Sequence, residues 1–205
     1  MRAFIEGSLF GVSLLRLFAM ATLLAGVYAV SRRRRVFWPG VAIALAALAT
    51  EGSVHTAPTR ALVVANFLLS ILFLAFLGSV ILYTILDAAN VTLDTILGGI
   101  CVYLLLGVAW SVGYSFLEYL HPGSFWIDGG RLPSASRPDE FRLEELTYYS
   151  FVTLTTVGYG DVLAKTQPAR ALAAAEAVTG SLYLAIFIAR LVGLHMAHAK
   201  RTLDP

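Results

Sequence analysis

The hydrophobic residues of the chain fall into long blocks separated by short polar segments. A helix needs about 20 apolar residues to cross a bilayer, and five blocks reach or approach that length. The blocks are residues 9–30, 36–50, 61–86, 93–117 and 168–194. The first contains Arg16, and the second is short unless it extends through the milder stretch to Ala57. The pattern predicts about five membrane-spanning helices.

The segment between the fourth and fifth blocks, residues 118–167, follows a different pattern. Residues 118–137 are rich in Gly, Pro and Ser, which predicts a surface loop. Residues 138–140 then resemble a helix start, with acidic residues in the turns that follow. The helix predicted over residues 143–155 is about 20 Å long at 1.5 Å per residue, too short to span a membrane. It leads directly into the sequence TVGYGD.

The composition agrees with a membrane protein and gives no support to an enzyme. Hydrophobic residues make up 58% of the chain and charged residues 14%, with a mean hydropathy of +0.76. Soluble domains carry about 25% charged residues. Cys101 is the sole cysteine, which excludes an intrachain disulfide and a thiolate metal cluster and suggests a packing role. We find no nucleophile–base pair, and expect no organic cofactor and no nucleic-acid partner.

The distribution of charge predicts the topology. Four consecutive arginines, residues 32–35, lie between the first two blocks, and positive charge favours the cytoplasmic side. Their role beyond topology stays open between none and a lipid-headgroup site. If TVGYGD opens to the outside, counting spans backward also places the arginine run inside. The two signals agree.

The sequence TTVGYGD suits the passage of potassium. An ion that enters a narrow pore loses its water shell, and rings of backbone carbonyls from four chains can replace those oxygens. Gly158 and Gly160 permit the positive φ angles that turn successive carbonyls toward one axis. Val157 and Tyr159 would then pack behind the filter, and the Thr156 hydroxyl would add a further oxygen ring. The preceding helix aims its partially negative end at the pore.

TTVGYGD, preceded by a short helix and flanked by two spans, resembles the potassium-channel superfamily. The stretch from residue 93 to 194 is similar to small bacterial pore-only or voltage-gated-like channels. The resemblance implies a homotetramer around one pore, because each chain carries a single filter segment. It also implies that K⁺ ions are coordinated in the filter by Thr156, Val157, Gly158 and Tyr159, with Gly160 completing it.

Two positions beside the filter depart from many relatives. A tryptophan pair is common where Tyr148 and Tyr149 stand, and one tryptophan bonds the residue that matches Asp161. Tyr148 could make the same bond through its hydroxyl; aromatic packing is the alternative for both tyrosines. Some relatives place a glutamate at the position of Val152, so a carboxyl pair with Asp161 is excluded here.

The last block carries the candidate gate. Gly180 has the spacing of a hinge glycine in the family, and close helix packing is the alternative. A stripe at four-residue intervals could form an apolar gate if it faces the axis, although lipid-facing and packing roles stay open. Its members are Leu184, Ile188 and Val192.

Polar residues in the last block are the remaining candidates. Glu176 is an ionisable group within the membrane, expected to bond Thr153 or Thr155 or to act in proton sensing or gating. Basic residues gather at the cytoplasmic end as expected interface anchors, with pH sensing or anionic-lipid binding as the alternatives. They are Arg190, His195, His198, Lys200 and Arg201.

We therefore expect an all-α membrane protein with about five transmembrane helices, a pore helix, a re-entrant filter and a tetrameric pore. Residues 1–92 would form sensor-like peripheral helices, residues 93–199 the pore domain and residues 200–205 a short cytoplasmic tail. Residues 61–86 carry no charge, so voltage gating by moving arginines is not expected.

The expected function is passive K⁺ conduction, with membrane lipids and further copies of the chain as partners, in a bacterial inner membrane. A weakly selective cation channel is one alternative, although Tyr159 argues against it. A non-conducting scaffold or regulatory subunit is the other. The opening stimulus stays open among lipid, tension, protons and constitutive opening.

Overall fold

A computed structural model of the chain describes residues 34–56, 59–88, 91–127, 130–131 and 143–203. The first hydrophobic block, residues 9–30, and the helix start expected at residues 138–140 lie outside these residues. So do the side chains of His198, Lys200 and Arg201.

The described part of the chain is mostly helical. Its elements, in order, are α1 (Arg34–Thr56), α2 (Arg60–Asp87), α3 (Leu93–Leu120), β1 (Phe125–Ile127), β2 (Gly130–Arg131), α4 (Leu143–Leu154), β3 (Val162–Ala164) and α5 (Gln167–Leu203). By internal contacts the chain divides into two units, Met1–Ala46 and Ala47–Pro205. In the first unit, residues 34–46 form the beginning of α1. The second unit contains the remaining described elements.

Three helices within the described residues are long and apolar enough to cross a membrane. They are Arg60–Asp87, Leu93–Leu120 and Gln167–Met196. These three predicted spans are therefore confirmed by length and composition, with ends within a few residues of those expected. The second block appears as a shorter apolar helix, Trp38–Val54, inside α1. Threonine caps set two of the starts, because Thr59 and Thr92 accept bonds from backbone N–H groups of the first turns of α2 and α3.

A small antiparallel sheet corrects the expectation of an all-α fold with a plain loop after the fourth block. Its strand order is β2–β1–β3. Strand β1 pairs with β3 through Phe125 opposite Ala164 and Ile127 opposite Val162. The predicted loop also starts late, since α3 continues to Leu120. The sheet forms because a strand just after α3 meets the strand just after TVGYGD.

Two buried clusters hold the second unit together. One joins the end of α1 to α2 and α3, with the Phe67 and Phe116 rings 5.3 Å apart. The other joins α3, α4, α5 and the sheet around Tyr114, Phe125 and Tyr149. This second cluster packs α4 against α3, α5 and the sheet, and it therefore supports the helix that leads into the filter sequence.

Glycines let the helices approach closely. A Cβ at Gly107 on α3 would lie 2.6 Å from the Phe151 ring of α4. A Cβ at Gly99, nearer the N-terminus of α3, would overlap the Phe187 ring of α5. Small residues at such contacts are typical of packed membrane helices. Gly107 and Gly99 therefore allow α4 and α5 to pack closely against α3.

Candidate functional site

The filter sequence begins where α4 ends. Helix α4 runs from Leu143 to Leu154, one residue short of the predicted end, with Glu144 and Glu145 in its first turn. Acidic residues there suit the positive end of the helix dipole. The partially negative end of α4 therefore leads into the segment that starts at Thr155.

The backbone of the segment has an alternating conformation. The φ angle is positive at Thr156 (58°), Gly158 (59°) and Gly160 (80°), and Thr156 is the one described non-glycine residue with a positive φ. In an extended strand successive carbonyls point to opposite sides. Positive φ at every second residue departs from this pattern, and we expect it to bring successive carbonyls toward one side. The prediction of positive φ at Gly158 and Gly160 is thus confirmed, and Thr156 joins them.

Backbone hydrogen bonds hold the start of this segment to the end of α4. The amides of Val157 and Gly158 both donate to the carbonyl of Val152, at 2.9 and 3.3 Å. The Thr155 hydroxyl donates to Phe151 O at 2.6 Å. Val152 therefore contributes through its carbonyl, while its side chain offers no group to Asp161.

The outer end of the segment is held by Asp161. The Tyr148 hydroxyl donates to Asp161 Oδ2 at 2.8 Å, which confirms the bond suggested for that tyrosine. Asp161 Oδ1 accepts from the amide of Val162 at 3.0 Å. The Tyr148 bond lowers the pKa of the Asp161 carboxyl, and the same bond raises the pKa of the Tyr148 hydroxyl.

Tyr148→Phe should make the outer filter sensitive to acid at a higher pH. Without the phenol donor, the pKa of Asp161 rises toward its ordinary value. The stability that the Asp161 carboxylate contributes is present above the ordinary pKa of an aspartate. It is lost as pH falls through the pKa that Asp161 has in the folded protein. We expect the midpoint of acid inhibition, measured by titrating the outer side in planar bilayers, to shift upward. Tyr149→Phe, which removes the neighbouring hydroxyl, should leave it in place; equal shifts would contradict the assignment.

Tyr149 packs among aromatic rings, which is the alternative that the sequence left open for both tyrosines. Its ring is buried and makes edge-to-face contacts with Tyr114 and Phe125, with centroids 5.2 and 5.3 Å apart. Such pairs stabilise by about 0.5–1.5 kcal/mol beyond the area they bury. The two tyrosines thus divide the two roles that the sequence left open.

A carboxylate on α3 fixes the loop that leads to the sheet. Glu118 accepts from the amides of Gly123 at 2.6 Å and Phe125 at 3.0 Å. The carbonyl of Ser124 in turn accepts from the amide of Lys165, which follows β3, at 2.8 Å. The chain leaving the filter is therefore anchored to the end of α3.

Glu176 bonds partners other than the predicted threonines. Its side chain is fully buried, and its carboxyl contacts the Tyr114 hydroxyl of α3 and the Ser150 hydroxyl of α4, the latter at 2.5 Å. The expectation of a bond to Thr153 or Thr155 was wrong. Ser150 is the residue of α4 that faces Glu176, whereas Thr155 follows the end of α4 and its hydroxyl donates to Phe151 O instead.

The position of Gly180 supports close packing. A Cβ at Gly180 would overlap the carbonyl oxygen of Leu154 and lie 2.8 Å from Leu154 Cδ1. The same carbonyl accepts from the Tyr103 hydroxyl of α3 at 3.2 Å. Helix α5 runs unbroken through this position. The glycine is thus explained by contact with the end of α4, and a hinge stays a prediction.

The candidate gate stripe is exposed in the single chain. Leu184, Ile188 and Val192 are 39%, 57% and 53% exposed. The neighbouring face of α5 turns toward α3, since the Tyr183 hydroxyl donates to Gly99 O at 2.7 Å. The stripe therefore does not serve packing against α3, and its role as a gate stays a prediction.

Arg190, in the second half of α5, contacts the end of α2. Its Nη2 group donates to the carbonyl of Leu86 and lies within 3.5 Å of the carbonyl oxygens of Ile85 and Ala88. These carbonyls close the end of α2, where a cation offsets the helix dipole. The expectation of a plain interface anchor overlooked this tie between α5 and α2.

Several supporting residues escaped the sequence analysis, namely Tyr103, Tyr114, Glu118 and Ser150. Tyr103, Tyr114 and Glu118 lie within or near the end of the mainly apolar helix α3, and Ser150 lies on the amphipathic helix α4. Buried polar groups are nearly always hydrogen-bonded, so a hydroxyl inside a hydrophobic block signals a partner. The Tyr103 and Tyr114 hydroxyls within the fourth block were therefore a signal of buried partners, although they did not identify which residues those partners are.

Comparison with known proteins identifies one matching family. Residues 91–196, slightly more than half of the 205 residues, match the family model described as ion channel. The match covers α3, the sheet, α4 and most of α5. No curated protein and no solved structure gave a match.

Proposed function

The chain belongs to the ion channel family, and we propose that it is one subunit of a homotetrameric, potassium-selective pore. The observation that carries the proposal is the alternation of φ at Thr156, Gly158 and Gly160 within TTVGYGD. This alternation supports a filter in which the carbonyls of the segment face one side and replace the water around a cation.

One chain supplies only one column of carbonyls, so a closed ring needs further copies. Val157 and Tyr159 are 53% and 71% exposed in the single chain, and both follow the buried end of α4. An exposed Tyr and Val beside a narrow filter would leave its backbone unsupported. Neighbouring subunits around a four-fold axis would cover both side chains, which supports a tetramer.

The conduction path follows from the same arrangement. K⁺ would pass the carbonyls of Thr156, Val157, Gly158 and Tyr159, with Gly160 at the outer end. The negative end of α4 lowers the free energy of a cation at the filter base. Below the filter, α5 would line the path, with Leu184, Ile188 and Val192 as an apolar constriction that closes by dewetting. The apolar helices place the protein in a membrane, which we propose is a bacterial inner membrane.

The test is a bi-ionic measurement on the purified full chain in planar bilayers, with potassium chloride on one side and sodium chloride on the other. We expect the reversal potential to lie near the potassium equilibrium potential, and native mass spectrometry to show a tetramer. A reversal near zero would instead favour the weakly selective cation channel. A tetramer without current under any pH or voltage would favour the non-conducting scaffold.

A further inference from the structure

Glu176 joins three helices behind the filter. Its carboxyl, on α5, lies in contact with the Tyr114 hydroxyl of α3 and 2.5 Å from the Ser150 hydroxyl of α4. Ser150 Oγ is also 2.7 Å from the carbonyl oxygen of Gly107 on α3. Glu176 and Ser150 are both fully buried. Four oxygen-bearing groups are thus linked by three short contacts in a site closed to water.

The number of protons in this cluster decides its charge. Each short O···O contact needs one hydrogen, but Tyr114 and Ser150 supply one each and the Gly107 carbonyl supplies none. If the Ser150 hydrogen points to Glu176, two bare oxygens face each other at the Gly107 contact. If it points to Gly107, the contact at Glu176 lacks a hydrogen. A third proton, carried by Glu176 itself, satisfies all three contacts.

The surroundings of Glu176 also disfavour a charge. The titratable groups that face it are tyrosines: Tyr103 and Tyr114 from α3 and Tyr149 from α4. Among the described residues, no cation interacts with its carboxyl. A buried carboxylate without a positive partner is strongly unfavourable. The neutral acid avoids this cost and keeps both of its oxygens bonded.

We infer that Glu176 is a neutral carboxylic acid whose own proton is donated to Ser150, and that it acts as a positioning residue for the filter. Ser150 lies on α4, which leads directly into Thr155 and the filter segment. Loss of the proton would leave Ser150 with one hydrogen for two acceptors. The contacts that hold α4 against α3 and α5 would then weaken, so conduction should fall as pH rises. This consequence for current rests on the proposed function; the protonation itself does not.

Infrared spectroscopy of the full chain in liposomes tests the protonation directly. The difference between the wild type and Glu176→Gln should contain the C=O stretch of a carboxylic acid at neutral pH, and no carboxylate bands. A matched control is Glu51→Gln, which removes an exposed carboxyl of α1 and supplies the reference difference spectrum. Carboxylate bands from Glu176 at neutral pH would overturn the inference, whether or not the protein conducts.

Current measurements test the positioning role. Glu176→Gln supplies an amide donor for Ser150 and an acceptor for Tyr114, whereas Glu176→Leu supplies neither. We expect Glu176→Gln to retain about ten times the current of Glu176→Leu at equal amounts of tetramer, and to lose the decline at alkaline pH that is expected of the wild type. Equal currents in the two variants, or an alkaline decline that persists in Glu176→Gln, would show that the carboxyl does not position the filter. If the wild type itself carries no current, the proposed function fails while the infrared result stands.

Discussion

Gly158→Ala is expected to abolish potassium-selective current. The φ angle of Gly158 is +59°, a conformation that costs an L-residue about 1–2 kcal/mol. In the proposed tetramer the strain adds to roughly 4–8 kcal/mol, and each 1.4 kcal/mol is tenfold in an equilibrium. The alanine peptide should therefore leave this conformation and turn its carbonyl off the axis. The bi-ionic reversal potential should move from the potassium value toward zero, or the current should vanish.

The cause of that loss can be separated from crowding. Within the chain, a Cβ at Gly158 would meet no heavy atom within 4 Å, so backbone strain is the expected cause. D-alanine, introduced at 158 by chemical ligation, favours positive φ and should retain selectivity. Gly113→Ala on α3, where a Cβ also meets nothing, should retain it as well. A selective Gly158→Ala channel would show that the filter does not depend on this φ angle.

The spans and the filter could be predicted from sequence because local signals define them. Hydrophobic length alone places α2 and α3, and the glycines of TTVGYGD predict two of the three positive φ angles within that sequence. The third, at Thr156, could not be predicted, because a threonine rarely adopts that conformation unless its surroundings impose it. Here the imposing contacts are the hydrogen bonds that tie Val157 and Gly158 to Val152.

Partners across helices could not be predicted, because they depend on how each helix is rotated. Glu176 was expected to meet Thr153 or Thr155, yet Ser150 is the residue of α4 that faces it. Arg190 reaches the end of α2 through carbonyls that carry no side-chain signal. The sheet was missed for a related reason: strands of two or three residues show no periodicity, and β1 finds β3 only through tertiary contact.

Gly180→Ala is expected to lower the stability of the assembled pore sharply and to reduce the current with it. Alanine favours a helix over glycine by about 1 kcal/mol, so propensity alone would make the variant more stable. The new Cβ would overlap the carbonyl oxygen of Leu154 and crowd its side chain, which is 1% exposed. Overpacking of this kind costs about 1–3 kcal/mol per site and is repeated in each subunit. We expect a lower melting temperature of the tetramer, measured by its dissociation on heating in detergent.

The same substitution separates close packing from a hinge at Gly180. Gly193→Ala is the matched control on α5, because a Cβ there would meet nothing within 4 Å and alanine should preserve or raise the melting temperature. A hinge would predict a tetramer of unchanged stability whose open probability alone is altered. Packing predicts that stability falls and that the Tyr103 bond to Leu154 O is disturbed, since α4 has to move away from α5. A Gly180→Ala tetramer as stable as the Gly193→Ala tetramer would therefore contradict the packing role and favour a hinge at Gly180.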